Sequence, residues 1–183
     1  MNTEQFHALA GETVAFKPVE LDDVPAIHRY ASDPEVSRFI GWSLMHSPEE
    51  TYRHVNEMTQ REREGTHLYA SITEKSTRAV IGTGMLFHFD TAANQAEIGY
   101  VLHKDYWGKG YGTESVALIC GFAREVLKLR RLHACVVDAN IGSARILQKN
   151  GFALEERLKD HYFIENSHYD ALLFGKILDH TSL

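Results

Sequence analysis

The chain of 183 residues is 44% hydrophobic and 24% charged, proportions typical of one globular domain with a substantial core. Its 19 Lys and Arg residues against 25 Asp and Glu residues give a net charge of −6. This balance argues against a protein that binds duplex nucleic acid, because phosphate contacts need a basic face.

The sequence also argues against secretion, membrane insertion and metal binding. Residues 1–12 lack a basic region followed by an apolar run, and no apolar stretch is long enough to span a bilayer. The eleven histidines are dispersed, without the spacings of zinc ligands, so we predict no metal site. Cys120 and Cys135 fall on apolar faces of predicted core elements, which predicts buried, reduced thiols in a cytoplasmic protein.

The first part of the chain is predicted to begin with a loose arm or short helix over residues 1–12. Thr13–Pro18 follows as a strand, and Asp22–Ser32 as a helix with its first residue as the N-cap. A loop rich in aromatic residues, Val36–Met45, leads to a predicted helix at Pro48–Glu64, whose proline and acidic first turn are typical of a helix start.

Two strands, His67–Thr73 and Ala79–Phe89, are predicted next, and they are joined by a polar turn. They lead to a central strand, Ala96–Leu102, and then to a glycine-rich turn. A helix is predicted from about Gly112, because apolar residues there are spaced i, i+3, i+4 and i+7.

The last part of the chain is predicted to form a strand, a short helix and a strand pair, at Leu132–Val137, Ser143–Lys149, Ala153–Phe163 and Tyr169–Ile177. The order βααβββαβαββ predicts a mixed α+β fold in which helices cover both faces of one sheet. We predict one domain over residues 13–178, followed by a tail at 179–183.

The central strand and the turn after it carry the strongest functional signal. Glu97 is a carboxylate in an otherwise apolar strand, which is unusual at the centre of a sheet. The glycines of Trp107–Gly112 let the backbone turn tightly and approach a ligand. The helix that follows offers unpaired N–H groups and a positive dipole end, so the turn predicts a phosphate site. Its spacing fits neither a P-loop nor a dinucleotide fingerprint.

This segment resembles the acyl-CoA-binding motif of the GNAT superfamily of N-acetyltransferases, Q/R-x-x-G-x-G/A. The match puts Trp107 at the Q/R position and Gly110 and Gly112 at the glycines. Tryptophan departs from the general motif, but it is typical of the RimJ/RimL type, which comprises ribosomal-protein N-acetyltransferases and small-molecule-acetylating relatives. A second match, Asn140–Phe152, is similar to the family's N-x-x-S-x-x-x-x-x-x-x-G-F. The resemblance covers the chain from about residue 13 to residue 178.

The resemblance implies a GNAT-like single domain, with a central, mostly antiparallel seven-stranded sheet flanked by helices on both faces. It also implies that the sheet splays beside the central strand to admit the pantetheine arm of acetyl-CoA, the expected co-substrate. Glu114 would repel a diphosphate, so we expect it to point away. The residues implied in cofactor binding are Tyr100, Val101, Leu102, Trp107, Gly108, Lys109, Gly110, Tyr111, Gly112, Thr113, Asn140 and Ser143.

The expected chemistry needs a base, because a protonated amine cannot attack a thioester. Glu97 is the candidate, since a glutamate at this strand position is a proposed base in RimJ/RimL-like enzymes; an exposed structural residue is the alternative. Asn140 is predicted to be a helix N-cap, a cofactor contact, or both. Ser143 matches the motif serine, which the family places near the CoA sulfur, and a small residue in the first helical turn is the equal alternative.

One departure from the family leaves the proton donor for the leaving thiolate unassigned. Many GNAT enzymes carry a tyrosine for this purpose in the second motif, where this chain has Leu147. Ser143 is one candidate for the role, and Tyr100 and Tyr162 are weaker ones. Because a thiol has a pKa of about 8.5, the thiolate is a tolerable leaving group and a dedicated acid is not a requirement.

We therefore predict an enzyme that moves the acetyl group of acetyl-CoA to a primary amine by direct attack in a ternary complex. The first choice of acceptor is a peptide or protein N-terminal amine, and the alternative is a small-molecule amine such as a polyamine, amino acid or drug. A non-catalytic acyl-CoA-binding module is a third reading, opened by Leu147. Arg38 and Trp42 are the predicted acceptor contacts. We expect a monomer or homodimer without nucleic-acid or membrane partners.

Overall fold

The computed structural model describes residues 2–178, so the tail predicted at 179–183 lies outside the described residues. Its strands are β1 Val14–Lys17, β2 Leu68–Glu74, β3 Val80–Asp90, β4 Gln95–Leu102, β5 Arg131–Val137, β6 Ala153–Ile164 and β7 Ser167–Ile177. They form one sheet in the order β1-β2-β3-β4-β5-β7-β6. Every neighbouring pair is antiparallel except β4 and β5, which run parallel. The predicted mostly antiparallel seven-stranded sheet is confirmed.

Helices cover both faces of this sheet, as predicted. They are α1 Thr3–His7, α2 Val24–Ala31, α3 Pro34–Ser37, α4 Pro48–Arg63, α5 Tyr111–Glu125 and α6 Ile141–Lys149, with 3₁₀ turns at Leu21–Asp23 and Lys104–Tyr106. Within residues 2–178, no helix combines the length and the apolar character needed to cross a membrane.

The start of α2 differs from the prediction, because Asp22 is not its N-cap. The helix is preceded by a 3₁₀ turn in which the side chains of Glu20 and Asp23 each accept a hydrogen bond from the other's backbone N–H. Asp23 is buried, and its carboxylate also accepts hydrogen bonds from Lys17 and Ser71. These buried contacts explain why Glu20 and Asp23 make the capping hydrogen bonds and Asp22 does not.

Of the two alternatives predicted for residues 1–12, a loose arm or a short helix, the structure has the short helix α1. Phe6 fixes this helix to the domain. The Phe6 side chain is fully buried. Its ring centroid lies 5.6 Å from that of Phe16 on β1 and 5.1 Å from that of Phe122 on α5. A fully buried aromatic side chain contributes several kcal/mol to stability, so this segment is part of the domain core.

Two apolar cores lie on the two faces of the sheet. Helices α1 and α5 pack on one face, which receives Ile98 and Leu102 of β4. Helices α2 and α4 pack on the other, which receives Val101. Alternate β4 side chains therefore point to opposite faces, as the period of two requires.

The parallel pair β4–β5 separates after a short ladder. The paired residues are Gln95 with Arg131, Ala96 with Leu132 and Glu97 with His133. In the described part of the chain β4 and β5 do not pair with each other beyond Glu97 and His133, although β4 continues to Leu102 and β5 to Val137. The splay that the family resemblance implied is therefore present, and it opens a fork in the middle of the sheet.

Candidate active site

A cavity and a groove meet at this fork. The cavity has a volume of about 490 Å³ and is lined by aromatic side chains, including Phe39, Trp42, Tyr69, Phe87 and Tyr162; we call it the aromatic cavity. The groove has a volume of about 830 Å³ and is lined by Gly108, Gly110 and Gly112; we call it the glycine groove. The residues that line both are Phe39, Ile40, Tyr100, Val101, Asn140 and Ser143.

The backbone of the glycine turn is open to a ligand at two positions. Gly108 and Gly110 have φ values of +73° and +91°, in the left-handed region that favours glycine. A Cβ atom built on either residue has no heavy atom within 4 Å. Gly110 is the N-cap of α5, so the free N–H groups of that helix begin directly after it. The turn therefore has the geometry of an anion site at a helix N-terminus.

Gly112 has a different reason to be glycine. A Cβ atom there lies 2.7 Å from Cδ1 of Ile146 and 3.3 Å from Cδ1 of Leu102. Glycine at this position lets α5 pack closely on α6 and β4. The sequence pattern predicts that all three glycines serve ligand binding, whereas in the structure Gly112 is also required for packing.

The predicted cofactor residues mostly line the glycine groove: Tyr100, Val101, Leu102, Trp107, Gly108, Gly110, Gly112, Thr113, Asn140 and Ser143. The indole N–H of Trp107 donates a hydrogen bond of 2.9 Å to the carbonyl of Leu102, which ties the turn to the end of β4. Lys109 and Tyr111 are not among the lining residues. The Lys109 ammonium lies 5.4 Å from the ring centroid of Tyr106, and the Tyr111 hydroxyl donates to the carboxylate of Glu74.

Glu114 points away from the turn, as expected. Its carboxylate accepts hydrogen bonds from the backbone N–H and the hydroxyl of Thr13. Burial raises the pKa of Glu114, and these hydrogen bonds lower it further than burial raises it, so the carboxylate is ionised at neutral pH. The charge is therefore directed to the chain before β1 and away from the glycine turn.

Tyr100 and Ser143 form a hydrogen-bonded pair where the cavity and the groove meet. The Tyr100 hydroxyl donates to the Ser143 carbonyl at 3.0 Å and lies 2.9 Å from Ser143 Oγ. Because a phenol has one proton, the Ser143 hydroxyl is then the donor to the Tyr100 oxygen. Asn140 Oδ1 accepts the Ser143 N–H at 3.1 Å, which confirms the predicted N-cap of α6. Burial raises the pKa of Tyr100, so its hydroxyl stays protonated.

The predictions for the two cysteines differ in outcome. Cys120 is buried, and burial raises the pKa of its thiol to about 11. Cys135 is only partly buried and lines the aromatic cavity, so the prediction of a buried thiol is wrong for this residue. Its Sγ lies 3.0 Å from the Tyr162 hydroxyl. The opening of the fork beside β5 explains the exposure, since β5 pairs with β7 but no longer with β4 at this residue.

Leu147 is the residue that the motif resemblance placed at the position of a tyrosine. Its side chain is fully buried in the apolar core and also contributes to the wall of the aromatic cavity. It can neither donate nor accept a proton. Among the described residues, the hydroxyl-bearing side chains that line this cavity are those of Tyr69, Tyr100, Ser143 and Tyr162.

Glu97 lies at the vertex of the fork, between two histidines. Its Oε2 is 2.9 Å from His88 Nδ1 and 3.6 Å from His133 Nε2. The Glu97 side chain is 17% exposed, and the His88 side chain is 68% exposed. Burial raises the pKa of Glu97, but the hydrogen bonds from His133 and His88 outweigh it, so the net effect is a lowered pKa. Glu97 is therefore an ionised carboxylate on the cavity wall, with a hydrogen-bonded path to solvent through His88.

His88 and His133 were missed in the sequence because nothing local marks them. His133 meets Glu97 through the parallel register of β4 and β5. His88 meets it through an irregularity in the β3–β4 ladder between Phe87 and Asp90, where His88 has a φ of +49°. The unusual carboxylate in an apolar strand was the one available signal that partners had to exist nearby.

The two predicted acceptor residues lie in different places. Trp42 lines the aromatic cavity, and its ring centroid lies 5.0 Å from that of His54. Arg38 lines the glycine groove instead, and its Nε lies 3.0 Å from a carboxylate oxygen of Glu165. Among residues 2–178, no group of three or more His, Cys, Asp or Glu side chains is arranged to hold a metal ion.

Comparison with known proteins gives a family and its neighbours. The family model described as "Acetyltransferase (GNAT) domain" matches residues 13–153. The uncharacterized N-acetyltransferase p20 of Bacillus licheniformis is 29% identical over 90% of this chain and 92% of its own length.

Two solved structures share the fold over nearly the whole chain. RimL, a ribosomal L7/L12 alpha-N-protein acetyltransferase in complex with coenzyme A, matches with a TM-score of 0.82 and 21% identity, covering 94% of this chain and 98% of that chain. Spermidine N-acetyltransferase from Vibrio cholerae, in complex with CoA and spermine, matches with a TM-score of 0.81 and 15% identity, covering 92% and 97%. At 21% and 15% identity, these two matches show a shared fold and nothing beyond it.

Proposed function

Because this chain belongs to the GNAT family of N-acetyltransferases, we propose that it transfers the acetyl group of acetyl-CoA to the N-terminal amine of a peptide or protein. The observation that carries the proposal is the meeting of the glycine groove and the aromatic cavity at the β4–β5 fork. One compartment holds an anionic nucleotide, the other an amine, and the reacting groups meet between them.

The glycine groove suits the co-substrate. Gly108 and Gly110 leave the backbone open, and the N-terminus of α5 supplies N–H groups for the diphosphate. The unpaired edges of β4 and β5 offer backbone groups to the amide-rich pantetheine arm. The CoA complexes of RimL and of the spermidine enzyme, which share this fold, add support.

In the proposed reaction the ammonium of the acceptor first loses a proton to Glu97, directly or through a water. The free amine nitrogen then attacks the thioester carbonyl carbon, a C–N bond forms, and the C–S bond breaks. The nitrogen, which is protonated after the attack, loses a second proton, and one proton is taken up by the leaving thiolate. The net products are the acetylated amine, free CoA and H⁺. Glu97 can take up this proton because it is ionised, lies on the cavity wall and is connected to solvent through His88. Its lowered pKa makes it a weak base, so the proton must pass on to solvent and does not stay on the carboxylate.

The leaving thiolate needs little help in this site. Ser143 and Tyr100 are the hydroxyl groups between the two compartments, and each already has a hydrogen-bond partner. Burial raises the pKa of Tyr100, which makes it a poor acid but a good neutral donor. We propose that Ser143 turns its hydroxyl from Tyr100 to donate a hydrogen bond to the sulfur, while Tyr100 keeps its hydrogen bond to the Ser143 carbonyl. Because a thiol ionises readily, the lack of an acidic side chain at Leu147 does not prevent departure of the thiolate.

Two alternatives stay open. A polyamine or another small amine would use the same chemistry, and one of the structural neighbours is a spermidine N-acetyltransferase. A non-catalytic acyl-CoA-binding module is the other. A cytoplasmic location is part of the proposal, because free acetyl-CoA and reduced thiols are found there.

The experiment is an acceptor screen in which released CoA is measured with a thiol reagent. The acceptors are peptides with free N-termini, the same peptides with blocked N-termini, spermidine and single amino acids. Steady turnover of free but not blocked peptides supports the proposal. Preferential turnover of spermidine would select the polyamine alternative, and binding of acetyl-CoA without turnover of any amine would select the non-catalytic module.

A further inference from the structure

The charges of the aromatic cavity are unfavourable for a polycation. Glu97 is the one carboxylate on its wall within the described residues, and two histidines already approach it. Arg61, by contrast, is a permanent cation on the same wall. Burial lowers the pKa of His54 and that of His67, so both side chains are neutral at pH 7. A ligand with several ammonium groups would find one carboxylate and a repelling guanidinium.

The hydrogen-bonding groups of the cavity lead to the same conclusion. The indole N–H of Trp42 is buried and has no hydrogen-bond partner in the described part of the chain. The atom has almost no accessible surface, so a ligand reaches it only if the ring shifts, and an acceptor that then pairs with it removes a cost on the order of 1–3 kcal/mol. A peptide carries carbonyl oxygens, whereas a protonated polyamine carries only donors.

The distance from Glu97 to His67 follows from the strand register. Phe87 is paired with Glu97 across β3 and β4, and the pairing of Leu68 with Leu86 puts residue 67 opposite Phe87. Two inter-strand spacings separate Glu97 from His67, which is about 10 Å. The rings of His67 and Phe87 are stacked at 5.7 Å, so the surface between the ends is flat and aromatic.

Arg61 is fixed at the far end of this row. Its carbonyl accepts hydrogen bonds from the backbone N–H and the hydroxyl of Thr66, directly before His67. Burial raises the pKa of Tyr69, and the Arg61 side chain beside its hydroxyl lowers it in part. The closest carboxylate of Arg61 is that of exposed Glu57, at 3.9 Å, which is a weak surface pair. The guanidinium is half-exposed and available to a ligand.

We propose that the aromatic cavity selects a peptide N-terminus with an apolar or aromatic second residue and an acidic third residue, whose carboxylate binds Arg61. Three extended residues span about 10 Å, which matches the distance from Glu97 to His67, and the Thr66 hydrogen bond holds Arg61 next to His67. The inference rests on the proposed function for the identity of the amine, and it adds the charge pattern of the acceptor.

The test uses three peptides that differ in one side chain: Ala-Phe-Asp-Gly, Ala-Phe-Asn-Gly and Ala-Phe-Lys-Gly, all amidated at the C-terminus. Binding is measured by calorimetry to the full chain saturated with CoA, and turnover is measured separately with acetyl-CoA. We expect the Asp peptide to bind about three- to tenfold tighter than the Asn peptide, as an accessible charge-assisted pair gives, and the Lys peptide to bind most weakly.

The variants are Arg61→Gln, Arg61→Lys and Arg63→Gln. Arg61→Gln should abolish the preference for Asp over Asn, and Arg61→Lys should restore part of it. Arg63 lies in the same last turn of α4 and lines neither compartment, so Arg63→Gln removes an equal charge and should keep the preference.

Equal binding of the Asp and Asn peptides to the wild-type chain, or an Asp preference that survives in Arg61→Gln, overturns the inference. Spermidine binding more tightly than every peptide overturns it as well. Selective binding of the Asp peptide without any acetylation supports this inference about the acceptor but counts against the proposed function. The failure of one claim can therefore be distinguished from the failure of the other.

Discussion

Replacing Glu97 with glutamine removes the proposed proton acceptor and keeps the shape of the side chain. An amide oxygen can still accept the hydrogen bond from His88, so the geometry at the fork should be preserved. General-base catalysis typically contributes 10²–10⁴-fold, so we expect the rate at pH 7 to fall by about 10²-fold or more.

The pH dependence separates a catalytic from a structural Glu97. An N-terminal amine has a pKa of about 7.7–8.0, so its unprotonated fraction rises about sevenfold between pH 7 and pH 9. The Glu97→Gln chain depends on amine that has already lost its proton, and its rate should rise by about that factor. The wild-type rate should rise less, because Glu97 removes the proton within the site.

A change in stability cannot imitate this recovery. The pKa of Glu97 is lowered in the folded chain, so its ionised form stabilises the fold above the unfolded pKa of about 4.3, and this contribution is lost only as the pH falls through the folded pKa. Between pH 7 and pH 9 the stability difference from Glu97→Gln, on the order of 1–3 kcal/mol, is constant.

The assay is a pH–rate profile of both proteins with one peptide acceptor and saturating acetyl-CoA, with folding checked by circular dichroism at each pH. Wild-type and variant profiles that run parallel from pH 7 to pH 9, offset by any constant factor, would remove Glu97 from the mechanism.

Three further changes test the two compartments and the core. Gly110→Val should abolish acetyl-CoA binding in a folded chain, because the new side chain occupies the space that the diphosphate needs. The measurement is calorimetry. The control is Gly121→Ala, which should keep the affinity, because this glycine on α5 also has open space around it and lines neither compartment. Unchanged affinity in Gly110→Val would disprove the assignment of the turn. Ser143→Ala should lower kcat by about tenfold or less with acetyl-CoA affinity retained, since Tyr100 still offers a hydroxyl; complete loss of turnover would make Ser143 an essential acid. Phe6→Ala should lower the free energy of unfolding by about 3–5 kcal/mol in a urea titration, and a loss below 1 kcal/mol would show that α1 is not part of the core.

The sequence was most informative where structure is determined locally. The turn from β4 into α5 is marked by glycines whose positive φ values leave few other residues possible. The cap of α6 is marked by Asn140, whose side chain reaches an N–H three residues away. Both features depend on neighbours in the chain, and for that reason patterns of a few residues predicted them.

The remaining features depend on residues that are distant in the chain. Glu97 could be recognised as unusual, but its partners follow from strand register and from an irregularity near Phe87 that no turn residue announces. The directions of Lys109 and Tyr111 depend on Tyr106 and Glu74, which pack beside the turn. Such contacts are decided only when the sheet is assembled.

The position of Glu97, the proposed base, and the opening of the sheet have a common origin. Glu97 and His133 form the last pair of the β4–β5 ladder, so the point at which the strands separate is also the point at which the carboxylate meets its histidine. A shift of one residue in the register would turn Glu97 toward the opposite face of the sheet, into the apolar core that holds Ala96 and Ile98. Burying an unpaired carboxylate there is costly, whereas in the observed register it has two partners. The charge of Glu97 therefore stabilises the same register that opens the fork, which explains how an unfavourable residue in a central strand is compatible with a stable fold.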